Sequence, residues 1–351
     1  MYPLFMDEII SKIVESLDFN LKEKGSYAQF NDSSYKPIKI DNNNFHEIKG
    51  VVSNNKIVFI DGGNAEILKA SNFSLQLMRI YYSIYQQNKK IASKKHEFYV
   101  LVNALNKDEE IVYKTEFFGL NKEKIEFNSF DETIRQGRHR ISISNIGNVI
   151  RRFIELETAT KLIDELGDGD IILMDGDLKA SITNEADYFS ELYGKALDKK
   201  VVVSALSKTN ELFTEKGNAL IPVLKELEPN SIPWYYFPLV EISNNSHQVD
   251  IYIVKLNRNS KYVFKFEVFN KMSYEINELL AVLRNNSSDP VFLGYPYGLI
   301  EADKFARVAN SERDYLKTLF LTKLGKNSEK IANYLNAINA HNMLDSMAYR
   351  Q

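Results

Sequence analysis

The sequence predicts an α/β protein built on a mixed central sheet, and three observations carry that prediction. Two apolar runs, Ile57-Val58-Phe59-Ile60 and Ile171-Ile172-Leu173-Met174, each close on an aspartate followed by glycine, Asp61-Gly62 and Asp175-Gly176. Strand and helix periodicities alternate through the second half of the chain, as in sheets flanked by helices. The tract from Pro229 to Asn270 reads instead as consecutive antiparallel strands.

In chain order, Asp7 to Leu17 places apolar residues at helical spacing and predicts an amphipathic helix with a packing role. The polar run Asp41 to Asn44 leads into the strand that carries Asp61. From Ser71 to Tyr82 the alternation is too irregular to assign. Phe98–Val102 and Glu110–Tyr113 read as strands. A long helical pattern runs from Asn145 to Leu166 and ends in the turn-rich Gly167-Asp168-Gly169-Asp170, before the strand of Asp175. A helix over Asn184–Leu197 and a strand over Val201–Leu206 follow, the latter opening into Ser207-Lys208-Thr209. Strands are expected at Trp234–Phe237, Val249–Val254 and Tyr262–Val268. The stretch from Ser273 to Gln351 reads as mostly helical, interrupted at Phe292–Gly298. These elements predict a single domain. Residues 1–50 form a helix and lead-in, 51–228 a core, and 229–351 a strand and helical part that completes the site.

Composition bounds the chemistry. The 351 residues are 44% hydrophobic and 26% charged, enough for a substantial buried core. There is no cysteine, which removes disulfides, thiolate metal sites and cysteine nucleophiles, so any metal is held by oxygen or imidazole. No apolar stretch approaches the about 20 residues that cross a bilayer, and the start lacks a signal-peptide pattern. These features predict a cytoplasmic protein without a membrane partner. The net charge of −3 argues against a free-standing basic nucleic-acid binder but is compatible with a nuclease whose acidic site offsets local basic patches.

An acid closing an apolar strand is costly to bury unpaired, which points to a cation or a proton at Asp61 and Asp175. Asp-Gly is also a common turn pair, so two hairpin turns are the competing explanation. On the helix before Asp175, residues two apart diverge, so only one of Glu155 and Glu157 can face the site, and Arg151 or Arg152 beside them suits phosphate contact. Lys208 stands just after an apolar strand, where it can reach a phosphate. Arg138 and Arg140 belong to the most basic local cluster, a candidate DNA contact whose alternative is a solvated loop. His341 is a candidate near the C-terminus. His46, His96, His139 and His247 show no ligand spacing.

Five motifs in series resemble the NurA nucleases. They are Phe59-Ile60-Asp61-Gly62-Gly63, Arg151-Arg152-x-x-Glu155, Leu173-Met174-Asp175-Gly176-Asp177-Leu178, Ser207-Lys208-Thr209 and Gly294-Tyr295-Pro296-x-x-Leu299-Ile300-Glu301-Ala302. The resemblance spans nearly the whole chain. It implies a ribonuclease-H-like core, a homodimer, and Mn²⁺-dependent (or Mg²⁺-dependent) single-strand endonuclease and 5′-to-3′ exonuclease activity on DNA. It also implies a HerA-type hexameric ATPase translocase as partner in end resection. It carries Asp61, Glu155 and Asp175 as metal ligands, Lys208 as the strand-end lysine and Tyr295 as the active-site tyrosine, placed to position or stack against the DNA strand. The chain departs from the family pattern at Gly63 or Asn64 and at Asp177, where serine is usual, and at Asp303, where some members carry histidine. Asp177 and Asp303 are therefore added as candidate ligands. Two other functions compete: a catalytically weakened DNA clamp or scaffold of the same fold, and a ribonuclease-H-like enzyme acting on RNA or on junctions. The partner surface is expected to include the N-terminal helix and residues Met1 to Phe5.

Overall fold

The computed structural model describes residues 2–16, 25–135, 137–209, 211–229 and 232–325. In chain order the elements are α1 (Tyr2–Ser16), β1 (Tyr35–Pro37), β2 (Phe45–Glu47), β3 (Lys56–Lys69), β4 (Phe73–Gln86), β5 (Lys89–Lys107), β6 (Glu110–Phe118) and β7 (Glu126–Asn128). There follow α2 (Asn145–Leu162), β8 (Ile171–Asp175), α3 (Glu185–Lys199), β9 (Val202–Ser207), α4 (Leu220–Leu227), β10 (Trp234–Tyr236), β11 (Val240–Ile242), β12 (Val249–Lys255) and β13 (Phe264–Phe269). Three helices close the described chain: α5 (Ile276–Asn285), α6 (Tyr297–Ala306) and α7 (Asn310–Leu324).

Eleven strands form one mixed sheet in the order β2-β10-β12-β13-β9-β8-β3-β4-β5-β6-β7, and β1 pairs with β11 beside it. At its centre, β3 is parallel to β8 and β8 to β9, while β4 and β5 run as an antiparallel meander from β3. The central order β9-β8-β3-β4-β5, with only β4 reversed, is the ribonuclease-H-like arrangement expected from the motifs. Parallel neighbours need crossovers, which α2 and α3 supply.

The two apolar runs read as continuous because both faces of the sheet are covered. Val58, Ile60, Ile172 and Met174 face the core that contains Phe153 and Leu156 of α2 and Leu192 of α3. Ile57, Phe59, Ile171 and Leu173 face Leu280 of α5 and Leu299 and Ala302 of α6. Side chains alternate along a strand, so Asp61 and Asp175 continue the second set and project on the α6 face. Ile60 pairs with Met174 in the parallel register, which sets the two aspartates side by side. This pairing excludes the two-hairpin alternative.

One expectation about the strand of Asp61 is corrected. Asp61 does not end it: β3 continues through Gly62, Gly63 and Asn64 to Lys69, fully paired with β4 except for one bulge near Glu66. The glycines serve close approach from both sides of the sheet rather than a turn. A Cβ on Gly62 would run into the Glu155 carboxylate and lie 2.9 Å from Cγ of Arg151, whereas one on Gly63 would run into the Ala306 carbonyl at the end of α6. Gly63→Ala is expected to lower stability by about 1–3 kcal/mol or more, because the obstructing atom is backbone. Chemical denaturation of the variant checks this.

The irregular stretch from Ser71 to Tyr82 is the 14-residue strand β4. Its alternation is broken by buried polar side chains with distant partners: Ser74 donates to Glu66, Gln76 to the Ser144 carbonyl, and Arg79 to Glu97 and Glu312. The helix near the N-terminus forms over Tyr2–Ser16, and its side chains from Met6 to Ser16 are exposed rather than packed. Met6, Ile9, Ile10, Ile13 and Val14 are all exposed, so its apolar stripe has no cover within the described chain. Helix α4 had no counterpart in the sequence reading. The helical expectation beyond residue 325, and His341 with it, lies outside the described residues. Among those residues no helix is long and apolar enough to cross a membrane.

Candidate metal centre

Three elements deliver carboxylates to one point. Asp61 comes from the middle of β3, Asp175 from the last position of β8, and Asp303 from the second turn of α6, which packs across β3 and β4. One oxygen of each lies within 4.8 Å of the other two. Asp61 and Asp175 line a cleft of about 670 Å³ together with Arg151, Asp177, Lys208, Glu211 and Lys265, and Asp303 meets them through its contact with Lys208.

The charges in this cleft are unbalanced. Burial, then the neighbouring Glu155 and Asp175 carboxylates, push the Asp61 carboxyl up to about 7, although Lys208 and the Gly62 N–H act against the rise. Lys208 follows β9 directly and bridges two of the acids, Nζ lying 2.7 Å from Oδ2 of Asp175 and 2.9 Å from Oδ1 of Asp303. Burial opposes its charge, yet the two carboxylates hold the ammonium above the ordinary lysine range.

Glu155 approaches from the opposite face of the sheet, over Gly62, and is buried at 5% exposure. Its carboxylate is paired with Arg151, which also donates to the Gly62 carbonyl at 3.2 Å. Glu157 instead pairs with Lys122 and with Lys161 at 2.7 Å, away from the cleft. Helical geometry thus divides the two glutamates: Glu155 turns toward the sheet at Gly62, outside the group of three converging acids, and Glu157 turns away.

Tyr295 takes a position different from the one expected. It is 1% exposed, with its ring packed among Phe264 and Phe292. A ring so enclosed cannot stack on a base. Its hydroxyl points to Oδ1 of Asp175 at 3.5 Å, and burial together with Asp175 and Asp61 raises its pKa, which keeps it protonated. Its place is to support Asp175.

Arg152, expected as a phosphate contact, is engaged by the protein's own groups. Nε donates to the buried Glu185 at 2.8 Å and Nη2 to the Asp177 carbonyl at 2.7 Å, so the guanidinium is taken up in fixing the segment after β8. Asp177 is exposed on the rim of the cleft and accepts from the Lys179 N–H at 3.3 Å. Arg138 and Arg140 lie in an exposed segment and line none of the cleft, with Arg140 standing over the Phe130 ring at 5.0 Å.

A buried support for the turn after Asp175 had not been anticipated. Glu267 in β13, at 0% exposure, accepts the Leu178 N–H at 2.8 Å, while His247 lies 3.1 Å away and Lys265 2.7 Å. Ser207 donates to the Gly176 carbonyl at 2.7 Å, and the Gly176 N–H donates to Leu206 at 3.1 Å. Gly176 itself has φ +103°, a conformation that glycine adopts without strain. The alternation Phe264-Lys265-Phe266-Glu267-Val268, with charges inside an apolar strand, was the available signal.

The donor set fits a hard divalent cation. All three candidate ligands offer carboxylate oxygens and converge from rigid elements; burial, and then the Glu155 and Asp175 charges, raise Asp61, and a cation between the acids would act against that rise. An acidic cluster at the centre of a ribonuclease-H-like sheet defines the protein as a nuclease of that structural class. The NurA domain family matches residues 55–308, well over half of the chain, and the chain belongs to that family. Among solved structures, the NurA nuclease from Sulfolobus solfataricus is similar at a TM-score of 0.51 and 14% identity, covering 81% of this chain and 88% of that one. The catalytic domain of human Endonuclease V gives 0.37 and 12%, over 76% and 84% of the two chains. The Aquifex aeolicus Argonaute gives 0.33 and 12%, over 73% and 29%. No significantly similar sequence was found among curated proteins.

Proposed function

We propose that the protein is a Mn²⁺- or Mg²⁺-dependent DNA nuclease, a single-strand endonuclease and 5′-to-3′ exonuclease. The observation that carries this reading is the convergence of Asp61, Asp175 and Asp303 beside Lys208. Asp61, Asp175 and Asp303 would hold the metal, with Glu155 able to complete the set once freed from Arg151. A bound divalent ion supplies an activated water and stabilises charge on the leaving oxygen. The chain's own groups do the remaining work. Lys208 is placed to neutralise a phosphate oxygen at the edge of the cluster, and Arg151, at the cleft wall, offers a planar donor to the same group. Tyr295 holds Asp175 from beneath, and the buried neighbours of Asp61 keep solvent from one side of it.

The family membership supports a homodimer that works with a HerA-type translocase in end resection. In this reading the exposed apolar stripe of α1, with Met1 to Phe5, contributes to the translocase contact. Deleting Met1 to Phe5 is expected to weaken that binding, and unchanged binding would overturn the assignment.

Cleavage of end-labelled single-stranded DNA with Mn²⁺, Mg²⁺ or EDTA tests the function. Activity with either metal and none in EDTA is expected, together with a higher thermal midpoint in metal, since a ligand bound only by the folded state stabilises it. Neither cleavage nor metal-dependent stabilisation would replace the nuclease with a DNA clamp of the same fold. Preference for RNA or branched junctions over single-stranded DNA would redirect the substrate.

A further inference from the structure

A second cleft, of about 430 Å³, opens beside the carboxylate cleft, and the two share Arg151 and Asp177 as a common wall. It runs along the first two turns of α2. Its size falls within the roughly 300–1,000 Å³ of small-ligand sites.

The lining is divided by chemistry. Ile134, Val149 and Ile182 give it an apolar floor that continues into the core beneath α2. On the rim, Asn145 and Asn148 present amides whose side chains have no hydrogen-bond partner among the described residues. Lys179 stands over the Tyr35 ring at 5.5 Å, with no carboxylate within ion-pair distance among the described residues. Of the two acids in the lining, Glu185 is neutralised by Arg152 at 2.8 Å, and Asp177 is exposed on the wall shared with the carboxylate cleft. The cleft therefore offers amides without a hydrogen-bond partner and, in Lys179, a cation without an ion pair among the described residues around an apolar base, whereas its neighbour holds the Asp61 and Asp175 carboxylates.

We propose that this second cleft is a nucleotide subsite. It binds the nucleotide adjoining the phosphodiester held at Asp61 and Asp175. The base lies on the Ile134–Val149–Ile182 floor between the two asparagine amides, and its phosphate meets Lys179 and Arg151. The assignment rests on the nuclease reading and adds to it the direction in which the strand leaves the metal centre: toward the start of α2 and the exposed segment that carries Arg138 and Arg140. The aliphatic floor accepts any base face, and the two amides offer hydrogen bonds to a base edge, so the subsite adds affinity with at most a modest base preference.

The test uses Asn148→Trp, which fills the cleft from an exposed position, and Lys179→Glu, which reverses the charge of its cation. Cleavage of dT12 is compared with that of the p-nitrophenyl ester of thymidine 5′-monophosphate, which has one nucleoside and cannot span both clefts. Binding of fluorescein-labelled dT12 is measured separately by anisotropy in an Asp61→Asn background. The ratio of kcat/KM for dT12 to that for the ester is expected to fall by about tenfold or more in each variant, with a similar loss of dT12 affinity. An unchanged ratio together with unchanged affinity overturns the subsite. If the wild-type protein cleaves neither substrate, the nuclease reading fails on its own, and the anisotropy still decides: weakened dT12 binding upholds the subsite, whereas unchanged or absent binding removes it.

Discussion

Asp61→Asn and Asp175→Asn are each expected to reduce cleavage of single-stranded DNA by about a thousandfold or more, the scale seen when one member of a catalytic unit is removed. The side chains keep their volume, so the loss isolates charge from packing. Asp61→Asn is not expected to unfold the protein. Asp61 is surrounded by Glu155 and Asp175, and in EDTA the removal of one of these like charges relieves repulsion in a partly buried site. Asp61→Asn is therefore expected to melt at or above the wild-type temperature without metal and to lose the stabilisation that metal confers. Differential scanning fluorimetry with and without Mn²⁺, beside the cleavage assay, separates the two effects. A variant that retains cleavage would move the metal centre elsewhere; one that loses activity by unfolding in EDTA would give Asp61 a structural role.

Glu267→Ala has the largest expected effect on stability. The residue is fully buried and faces His247, Lys265 and the Leu178 N–H, so its removal leaves donors and a charge without a partner. Breaking such a pair from one side costs about 3–5 kcal/mol. For a chain of this length that corresponds to a midpoint lower by about 4–7 °C. Burial opposes the carboxylate's charge, but His247 and Lys265 more than offset it and lower its pKa from 4.5 to about 2. The folded state thus binds this proton less readily than the unfolded state. The stabilisation is present above pH 4.5 and is lost as pH falls from 4.5 through about 2. Urea titrations from pH 3 to pH 7 should show the gap between wild type and Glu267→Ala narrowing on the acid side. A gap independent of pH would attribute the cost to packing alone. Because Glu267 secures the segment after Asp175, cleavage should also fall in the folded variant.

Much of the fold was legible because the relevant patterns are local. The runs at 57–60 and 171–174 are apolar at every position, and only a sheet covered on both faces buries such a strand completely. The helices α2 and α3 showed their spacing directly. Strand β4 did not, since Ser74, Gln76 and Arg79 are buried through partners that lie between 8 and 233 residues away in the chain. The stripe on α1 marked a helix, but periodicity cannot say whether an apolar face is covered by its own chain or left exposed.

For the site, the sequence by itself determined the residue types and their alternation: acids at the ends of apolar runs, glycines beside them, and no thiol to compete for a metal. Strand parity then placed Asp61 and Asp175 on one face once their strands were neighbours. Only the tertiary structure decided that β3 continues past Asp61, that Asp303 joins the cluster while Glu155 is paired with Arg151, that Arg152 pairs with Glu185, and that Tyr295 is buried. The physical reason is distance. Hydrophobic periodicity is written within a few residues, whereas the pairing of a charge depends on which groups the completed sheet and helices bring within a few ångströms of it.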